Sequence, residues 1–306
     1  MAKIEVEHFT KDYGSGRGVF DISFKINEGE VYGFLGPNGA GKSTTIRHLM
    51  GFSKPEKGHT RILGMDSFEN YYKFMDKVGY LPGEIALPDG LNGYEFLDMM
   101  EKLKGNINKP WVRHLLEIFK LDPSGNTKRM SLGVKRKLAV VTAFMNDPDI
   151  LILDEPTSGL DLEMQQTFIE FIKEEKARGK TILLSSHIFS EVDATCDRIA
   201  IIKDGKIVDE FIANDLKHNN NKNYLIEFAS MEDEKKFREA NKDATAFKMV
   251  ESNGKQMLVN IDDKNINELV KAISKSKIDS FTHLKETLED YFMKYYKEDK
   301  NFGGAL

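Results

Sequence analysis

The sequence predicts an α/β fold in which a mostly parallel sheet is flanked by helices. Short, continuous apolar runs, which are typical of strands buried on both faces, lie at Val31–Leu35, Val78–Leu81, Ile150–Leu153 and Thr181–Leu184. Leu162–Ala177 lies between the last two runs, and its spacing predicts an amphipathic helix that is closed near Gly179. Strands that alternate with helices pair in parallel, which indicates this fold class.

Length and composition predict a globular protein with one large and one smaller domain. The 306 residues exceed the usual size of a single domain. Hydrophobic residues at 40% and charged residues at 30% are typical of a folded, soluble chain. The net charge of -5 lacks the basic character of a nucleic-acid binder, so no nucleic-acid partner is expected. The single cysteine, Cys196, rules out an internal disulfide and fits a reducing compartment.

The sequence predicts no membrane-spanning segment. No apolar run approaches the roughly 20 residues that such a helix needs. The start, MAKIEVEHFT, is charged and alternating, unlike a signal peptide. We therefore expect an intracellular protein that meets a membrane only through a partner.

The segment after the first apolar run matches the phosphate-binding loop pattern G-x-x-x-x-G-K-[ST]. Its expected nucleotide-binding residues are Gly36, Pro37, Asn38, Gly39, Ala40, Gly41, Lys42, Ser43 and Thr44. The glycines let the backbone wrap around phosphates, and the helix predicted over Thr44–Met50 adds its positive dipole end. We expect Lys42 to reach the β- and γ-phosphates and the Ser43 hydroxyl to bind Mg²⁺. The alternative is a chance glycine-rich turn, against which the flanking strand and helix argue.

Two carboxylates, Asp154 and Glu155, directly follow the apolar strand Ile150–Leu153. A strand end places them at the carboxyl edge of the sheet, beside the phosphate loop. We expect Asp154 to hold Mg²⁺ through water and Glu155 to orient and deprotonate the attacking water. The alternative is a pair of solvated surface acids, which the upstream phosphate loop disfavours.

A histidine, His187, follows the apolar strand Thr181–Leu184 after two serines. This strand is expected to run beside the carboxylate strand, which directs His187 toward the γ-phosphate. There it can donate a hydrogen bond as negative charge develops. A lone histidine after a strand is usually polar surface, and this is the alternative.

A second helix start, at Ser131, lies in the stretch RMSLGVKRKL and precedes an amphipathic run to Phe144. Serine is a good N-cap, and the free N–H groups of a helix start bind anions. Since one nucleotide does not need two such ends from one face, Ser131 is hypothesised to serve the nucleotide of a second copy in a two-fold dimer. The alternative, which the local residues alone favour, is an ordinary capped helix with solvated Lys135, Arg136 and Lys137.

The ordered set GPNGAGKST, SLGVK, ILILDEP, SGLD and SSH resembles the ATP-binding subunit of an ATP-binding cassette (ABC) transporter, over residues 1–215. The resemblance implies a P-loop NTPase fold with a helical signature subdomain and an antiparallel β part. It also implies that Ser131 and Gly133 contact the γ-phosphate held by a partner copy, and that Asp161 lies at the dimer seam. Tyr13, in KDYG, is similar to the aromatic residue that stacks on adenine in this family.

Two positions depart from the family pattern. Leu132 replaces the first glycine of the usual Ser-Gly-Gly signature, while Ser131 and Gly133 remain. After the strand VGYLP the family normally has a glutamine that reaches Mg²⁺ and senses the membrane partner, but this chain has Gly83 followed by Glu84. Either Glu84 substitutes as a metal ligand, or the metal lacks this ligand.

We expect an ATP-binding domain at 1–215 and a small α+β accessory or interaction domain at 216–306. Asp204-Gly205 predicts a hairpin within Arg198–Phe211, and the polar stretch Asn214–Asn223 predicts a linker. The elements predicted after it are strand Tyr224–Phe228, helix Glu232–Ala240, a hairpin over Ala246–Asn260 turning at Asn253-Gly254, and helices Asn265–Ser274 and Leu284–Tyr296. The stretch HLKETLEDYFMKYY resembles the tail of cassette proteins grouped with drug, antibiotic or lipid exporters.

The resemblance implies the ATP-hydrolysing subunit of an ABC transporter, and its tail favours an exporter, with ATP and Mg²⁺ as cofactors. The implied partners are an integral membrane permease subunit and a second ATP-binding subunit, with a homodimer expected. The implied location is cytoplasmic, on the inner face of the cell membrane. We expect the permease to dock on Gly83–Leu103, and a core helix is the alternative for the second half of this segment.

Other function classes fit the sequence less well. A soluble ABC-type ATPase acting in translation or on DNA would usually carry two cassettes or a long coiled coil, and the sequence has neither. A GTPase would need the guanine-reading motif Asn/Thr-Lys-x-Asp, which is absent.

Overall fold

The computed structural model describes residues 2–105, 107–217, 221–285 and 287–297. Within these ranges the strands, in chain order, are β1 Ala2–Asp12, β2 Gly18–Asn27, β3 Val31–Leu35, β4 Lys57–Ile62, β5 Met65–Asp66, β6 Val78–Leu81, β7 Ile150–Asp154, β8 Thr181–Ser186, β9 Arg198–Lys203, β10 Lys206–Ile212, β11 Asn221–Phe228, β12 Phe247–Asn253, β13 Gln256–Asp262 and β14 Ile278–Leu284. The α-helices are α1 Lys42–Leu49, α2 Ser67–Asn70, α3 Gly93–Lys104, α4 Lys109–Ile118, α5 Leu132–Phe144, α6 Leu162–Ala177, α7 Phe189–Thr195, α8 Ala213–Lys217, α9 Met231–Ala240, α10 Ile266–Ile273 and α11 Leu288–Lys297. None of these described helices has the length and apolar character needed to cross a membrane. The chain divides into two compact units, Met1–Ala213 and Asn214–Leu306.

The first unit is built around a mostly parallel sheet with the strand order β10-β9-β3-β8-β7-β6. All neighbouring pairs in it are parallel except β10, which joins the edge as the second arm of a hairpin. Every residue of β3, β7 and β8 is buried, which explains why these strands appear as continuous apolar runs. The predicted α/β class and the Asp204-Gly205 hairpin are confirmed.

A second sheet, with the order β2-β1-β4-β5, is the antiparallel part that the resemblance implied. Its strands were not predicted, although Ile22, Phe24 and Ile26 of β2 alternate with exposed residues. In β1 the fully buried positions Ile4 and Val6 alternate, but the next one is Phe9, a shift of one residue. His8 has a left-handed φ of 49° at this point, and Asp21 on β2 has one of 54°. Bulges of this kind interrupt the two-residue repeat from which such a strand is predicted.

The strand β8 is longer than the apolar run that predicts it. It continues through Ser185 and Ser186, and both serines are buried. The Ser185 hydroxyl donates to Asp154 at 2.5 Å and the Ser186 hydroxyl donates to Glu191 at 2.5 Å. Buried hydroxyls need such partners. Because these partners come from other segments of the chain, residue polarity alone predicts an early end of the strand.

The second unit has the chain order β11-α9-β12-β13-α10-β14 and the sheet order β12-β13-β11-β14, with antiparallel neighbours. This is the split βαβ arrangement of ferredoxin-like domains. Phe237 of α9 and Leu269 of α10 join Phe228 and Val259 of the sheet in one hydrophobic cluster. The hairpin between β12 and β13 turns at Gly254-Lys255, one residue later than predicted, because the preceding asparagine still pairs across the ladder.

The linker predicted at Asn214–Asn223 is partly wrong. The helix α8 continues through Lys217, and β11 already begins at Asn221, while residues 218–220 lie outside the described ranges. The polar start of β11 is held by its neighbour in the sheet, since Asn260 Nδ2 donates to Asn223 Oδ1 at 2.8 Å. A strand formed by polar side chains that bond to each other has no apolar signal in the sequence.

The last helix begins later than the predicted Leu284. That residue ends β14 and pairs with Asn223, and α11 begins at Leu288. The Thr287 hydroxyl caps this helix by accepting a hydrogen bond from Asp290 N at 3.1 Å. Residue 286 lies outside the described ranges. The predicted helix wrongly included the end of β14, because no glycine or proline separates the strand from the helix in the sequence.

Candidate functional site

The predicted phosphate loop connects the end of β3 to the start of α1. Gly39 and Gly41 have φ angles of +84° and +110°, which residues with side chains rarely adopt. A Cβ atom on Gly41 would also lie 2.8 Å from Val19 Cγ2, so both backbone and packing require this glycine. Pro37, Asn38 and Gly39 are exposed, which leaves the loop open to an anion at the positive end of α1.

The hairpin between β9 and β10 supports the phosphate loop. Gly205 N donates to Ala40 O at 3.0 Å, and Gly205 O accepts from Phe20 N at 2.8 Å. Gly205 has a φ of +74°, and a Cβ atom on it would lie 2.5 Å from Gly18 O. The sequence predicts a hairpin glycine here, but it contains no signal that the turn contacts the phosphate loop.

The structure brings the predicted residues Lys42, Glu155 and His187 together. Lys42 is buried, and its ammonium donates to Gly36 O at 2.5 Å and to Pro37 O at 3.1 Å. The same ammonium forms an ion pair with Glu155 Oε1 at 3.0 Å. The other carboxylate oxygen, Oε2, lies 2.6 Å from His187 Nδ1. One carboxylate therefore bridges the lysine of the phosphate loop and the histidine after β8.

A strained backbone conformation holds Glu155 in this position. Its φ of 48° lies in the left-handed region, which costs about 1–3 kcal/mol for a residue with a side chain. Its N–H donates to Ser185 O at 3.0 Å, and its carbonyl accepts from Ser158 N at 3.1 Å. These bonds fix the turn directly after β7, from which the side chain reaches Lys42. The strained residue is therefore the one that is predicted to activate the attacking water.

The other predicted carboxylate, Asp154, ends β7 and is buried. Its Oδ1 accepts a hydrogen bond from Ser185 Oγ at 2.5 Å. A Cβ atom at Gly83 would lie 3.0 Å from Asp154 Oδ2, so the Gly83 backbone lies directly against this carboxylate. Glu84 is exposed, and Ser43 is partly buried at the start of α1.

The described residues form no ready metal centre, because no group of three or more His, Cys, Asp or Glu side chains among them is arranged to hold an ion. Ser43 and Asp154 still suit Mg²⁺, which prefers oxygen ligands and usually keeps several waters and substrate phosphates. A divalent cation here would therefore take most of its ligands from a bound nucleotide and from water.

A further buried carboxylate, Glu191 of α7, was not predicted. Its Oε2 accepts a hydrogen bond from Ser186 Oγ at 2.5 Å. Burial raises the pKa of Glu191 to about 7, against the lowering effect of the Ser186 hydrogen bond, and the charge of Glu155 raises it further. In the sequence Glu191 is one acid in a short helix. Its buried partner is evident only in the folded chain.

The predicted helix start at Ser131 is confirmed as the N-cap of α5, although its Oγ accepts from Val134 N at a long 3.4 Å. Ser131 is exposed, and Leu132 is 59% exposed. A Cβ atom on Gly133 would lie 3.0 Å from Gly159 O, and one on Gly159 would lie 2.9 Å from Leu132 Cδ2. The start of α5 therefore packs on the SGLD segment.

The last residue of that segment, Asp161, caps α6 by accepting a hydrogen bond from Met164 N at 2.9 Å, and it is exposed. Among the described residues, no hydrogen bond or ion pair joins Ser131, Gly133 or Asp161 to the phosphate loop. Within one chain, these three residues thus form no direct hydrogen bond or ion pair with Lys42, Glu155 or His187.

Comparison with known proteins identifies the family. A family model described as ABC transporter matches residues 19–158. The chain is 35% identical over 227 residues to the uncharacterized ABC transporter ATP-binding protein YhcH of Bacillus subtilis, covering 73% of this chain and 74% of that one. It is 37% identical over 227 residues to the bacitracin transport ATP-binding protein BcrA of Bacillus licheniformis, covering 72% of both. It is 35% identical over 215 residues to the Nod factor export ATP-binding protein I of Burkholderia orbicola, covering 69% and 71%.

The chain belongs to the ATP-binding proteins of ABC transporters. Its fold agrees with a solved structure of an ATP-binding subunit of an ABC transporter, with a TM-score of 0.63 and 30% identity over 70% of this chain and 91% of that chain. A dimeric bacterial ABC transporter cassette shares the fold at 23% identity, with a TM-score of 0.62 over 69% and 98%. The predicted P-loop NTPase fold is confirmed, and the cassette is an ATP-binding, ATP-hydrolysing domain.

In this ATP-binding protein, Tyr13 lies in the loop between β1 and β2. Its side chain is 57% exposed, and Lys11 Nζ lies 5.3 Å from the ring centroid. Tyr13 N donates to Arg17 O at 2.8 Å, which closes the loop. The exposed ring is available for stacking on a base.

One side chain of the cassette contradicts an expectation from its sequence. Arg136 is 2% exposed instead of solvated, while Lys135 and Lys137 are partly buried. The acceptors of its guanidinium are backbone carbonyls of other segments. Every residue has a backbone carbonyl, so the sequence could not predict which ones would bind Arg136 and bury it.

Proposed function

We propose that this ATP-binding protein powers export through a separate membrane-spanning permease. A relative named for Nod factor export supports this direction of transport, and one named for bacitracin transport supports a role in transport. The subunit would lie in the cytoplasm and be held at the inner face of the cell membrane by the permease. We place the permease contact on Gly83–Leu103. The second half of this segment is α3, which buries Phe96 and Leu97 but leaves Tyr94 and Leu103 55% and 73% exposed. These exposed apolar side chains are available for a partner.

In this proposal the phosphates of ATP bind on Gly36–Thr44, and adenine stacks on Tyr13. Lys42 would donate to the β- and γ-phosphates, which requires its ion pair with Glu155 to open. Ser43 and Asp154 would hold Mg²⁺ together with phosphate oxygens and water, and Glu84 is a further candidate ligand. The ion, when bound, neutralises charge on the β- and γ-phosphates.

The observation that carries the proposal is the Glu155 carboxylate between Lys42 and His187. Once the γ-phosphate takes Lys42, the freed Glu155 carboxylate can accept a proton from the attacking water. His187 is hydrogen-bonded to that carboxylate, and once this bond opens its ring N–H can donate to the γ-phosphate as charge develops. A lysine, a general base and a hydrogen-bond donor thus meet where phosphoryl transfer needs them.

A second copy of the chain would complete each site. Ser131 and Gly133 start a helix whose N–H groups can bind the partner's γ-phosphate, and Asp161 would lie at the seam between the two sites. In a two-fold homodimer each phosphate loop would face the other copy's helix start. The exposure of Ser131, Leu132 and Asp161 supports such a contact.

We assign ATP binding to residues 1–215 and an accessory or interaction role to residues 216–306. The predicted catalytic and phosphate-binding residues all lie before residue 215. The hydrophobic cluster around Phe237 gives the second unit a core of its own.

Co-purification from detergent-solubilised membranes tests the transporter assignment. We expect a multi-span membrane protein to accompany the tagged chain, and Leu103→Glu to release it. Val250→Glu, which changes another apolar residue that is 52% exposed, serves as the control and should keep the partner. Recovery of ribosomes or nucleic acid instead of a membrane protein would support a soluble ABC-type ATPase.

A further inference from the structure

Arg136 joins two loops that flank the proposed nucleotide site. It lies in α5, in the second turn after Ser131, and is 2% exposed. Its Nη1 donates to Pro82 O at 2.9 Å, and its Nη2 donates to Gly83 O at 2.7 Å. Its Nε donates to Ser158 O at 3.0 Å. One planar group therefore holds the segment after β6 and the segment after β7 against the same helix.

Both of these loops contact residues of the proposed site. The Gly83 backbone lies against Asp154, since a Cβ atom at Gly83 would be 3.0 Å from Asp154 Oδ2. Ser158, whose carbonyl binds Arg136, donates its N–H to Glu155 O at 3.1 Å. Arg136 is thus linked through Ser158 to the backbone of Glu155, and it binds the carbonyl of Gly83, whose backbone packs against the Asp154 carboxylate.

Stability alone does not explain a buried guanidinium at this position. Burial lowers the pKa of Arg136, and the nearby charges of Asp154, Glu155 and Glu191 act in the opposite direction. The direct partners of the guanidinium are carbonyls, so its charge is not neutralised by contact. Removing a charge from water is costly, and hydrogen bonds to neutral carbonyls offset only part of that cost.

We propose that Arg136 is a positioning residue that couples the Pro82–Gly83 segment to the segment between Glu155 and Asp161. The guanidinium is planar and rigid, so a displacement of Gly83 would move Ser158 and the backbone of Glu155 with it. Gly83 occupies the position where the resemblance expects a glutamine that senses the membrane partner. In this chain, a buried arginine connects that backbone to Ser158, which bonds the backbone of Glu155. The inference rests on the roles proposed above for Asp154 and Glu155.

Steady-state kinetics of three variants test the coupling. Arg136→Met keeps the length of the side chain but removes all three hydrogen bonds, and Arg136→Lys keeps the charge without the planar fork. Arg113→Met makes the same change at an exposed arginine of α4 and serves as the control. We expect Arg136→Met to lower kcat on the order of tenfold or more with KM for ATP within about twofold of wild type. Arg136→Lys should be intermediate, and Arg113→Met should match wild type.

Arg136→Met leaves three backbone carbonyls without this donor, so its thermal unfolding midpoint is expected to fall, and kcat is measured well below that midpoint. A low kcat in protein that is fully folded at the assay temperature separates positioning from a general structural role. A loss of kcat in proportion to a loss of folded protein would overturn the proposal, and so would an unchanged kcat.

Hydrogen exchange measured by mass spectrometry tests the coupling without relying on the reaction. Amides of residues 83–86 and 158–161 should exchange faster together in Arg136→Met, while the rest of α5 stays protected. Faster exchange in only one segment, or in neither, would overturn the proposal. This readout is also independent of the transporter assignment, because it concerns the isolated chain.

Discussion

Lys42 Nζ lies 3.0 Å from Glu155 Oε1, so the lysine of the phosphate loop is paired with the proposed general base. The two side chains are 5% and 15% exposed, and the ion pair is therefore little screened by solvent. ATP and this ion pair compete for the same ammonium. Glu155 is released only when a phosphate replaces it as the partner of Lys42. Activation of the base therefore depends on substrate binding.

Glu155→Gln should bind ATP at least as tightly as wild type and lose turnover by about 10²–10⁴-fold. The neutral amide no longer competes for Lys42, and it cannot accept a proton from water. The variant is expected to accumulate as an ATP-bound dimer in size-exclusion chromatography with ATP and Mg²⁺. Glu117→Gln, at an exposed site of α4, should behave as wild type. A Glu155→Gln protein that stays monomeric would count strongly against shared sites.

His187→Ala should lower kcat by about 10–10²-fold, with little change in KM for ATP. The reason is that His187 lies 2.6 Å from Glu155 Oε2, on the side of the carboxylate opposite Lys42, and would act mainly as charge develops on the γ-phosphate. His59→Ala removes an exposed histidine and should leave kcat unchanged. A His187 variant with a raised KM and a normal kcat would show that this residue binds substrate without assisting the reaction.

Gly205→Ala should weaken both the fold and ATP binding more than Gly64→Ala. The two glycines have nearly equal φ angles, +74° and +75°, so their backbone strain is matched. A Cβ atom at Gly205 would meet Gly18 O at 2.5 Å, whereas nothing lies within 4 Å at Gly64. We expect about 1–2 kcal/mol of destabilisation for Gly64→Ala and about 1–3 kcal/mol more for Gly205→Ala, measured by denaturant unfolding.

Because Gly205 N donates to Ala40 O, the dissociation constant for ATP should rise only in the Gly205 variant. Equal effects of both alanine variants on unfolding and on ATP binding would show that the hairpin does not support the phosphate loop.

Glu191→Gln should change how stability depends on pH. The folded carboxyl has a pKa of about 7, and its ordinary value is 4.5, so the folded state holds the proton more tightly than the unfolded state. Its favourable contribution is fully present below pH 4.5 and is lost as pH rises to about 7. Relative to Glu191→Gln, wild type should lose up to about 3 kcal/mol of unfolding free energy between these limits. A difference between the two proteins that does not vary with pH would contradict this.

Elements that can be identified from a local sequence pattern were predicted well. The phosphate loop, the carboxylates after β7 and the helix α6 follow from local patterns, because the apolar run or the glycine spacing that identifies each one lies in the same segment. The sequence thus located Lys42, Asp154, Glu155 and His187. Lys42, Glu155 and His187 meet at hydrogen-bond distance because β3, β8 and β7 are adjacent parallel strands. The α/β pattern indicated parallel strands with β8 beside β7, but not the order of all three.

Residues whose polar partners are brought together only by folding were not predicted. Arg136 is buried by the carbonyls of Pro82, Gly83 and Ser158, and Glu191 by the hydroxyl of Ser186. Neither the carbonyls nor the hydroxyl can be recognised as a partner from the hydropathy of the surrounding residues. The start of β11 was missed for the same reason, because polar side chains that are satisfied across a sheet look like a linker in the sequence.

The proposal that two chains share each ATP is tested most directly by ATPase activity per milligram of protein, measured over a wide range of dilution. If a second chain's Ser131 must complete the site around Lys42, specific activity should fall steeply as the protein is diluted and recover on concentration. A specific activity that stays constant down to the lowest measurable concentration, in a sample shown to be monomeric, would contradict the shared site.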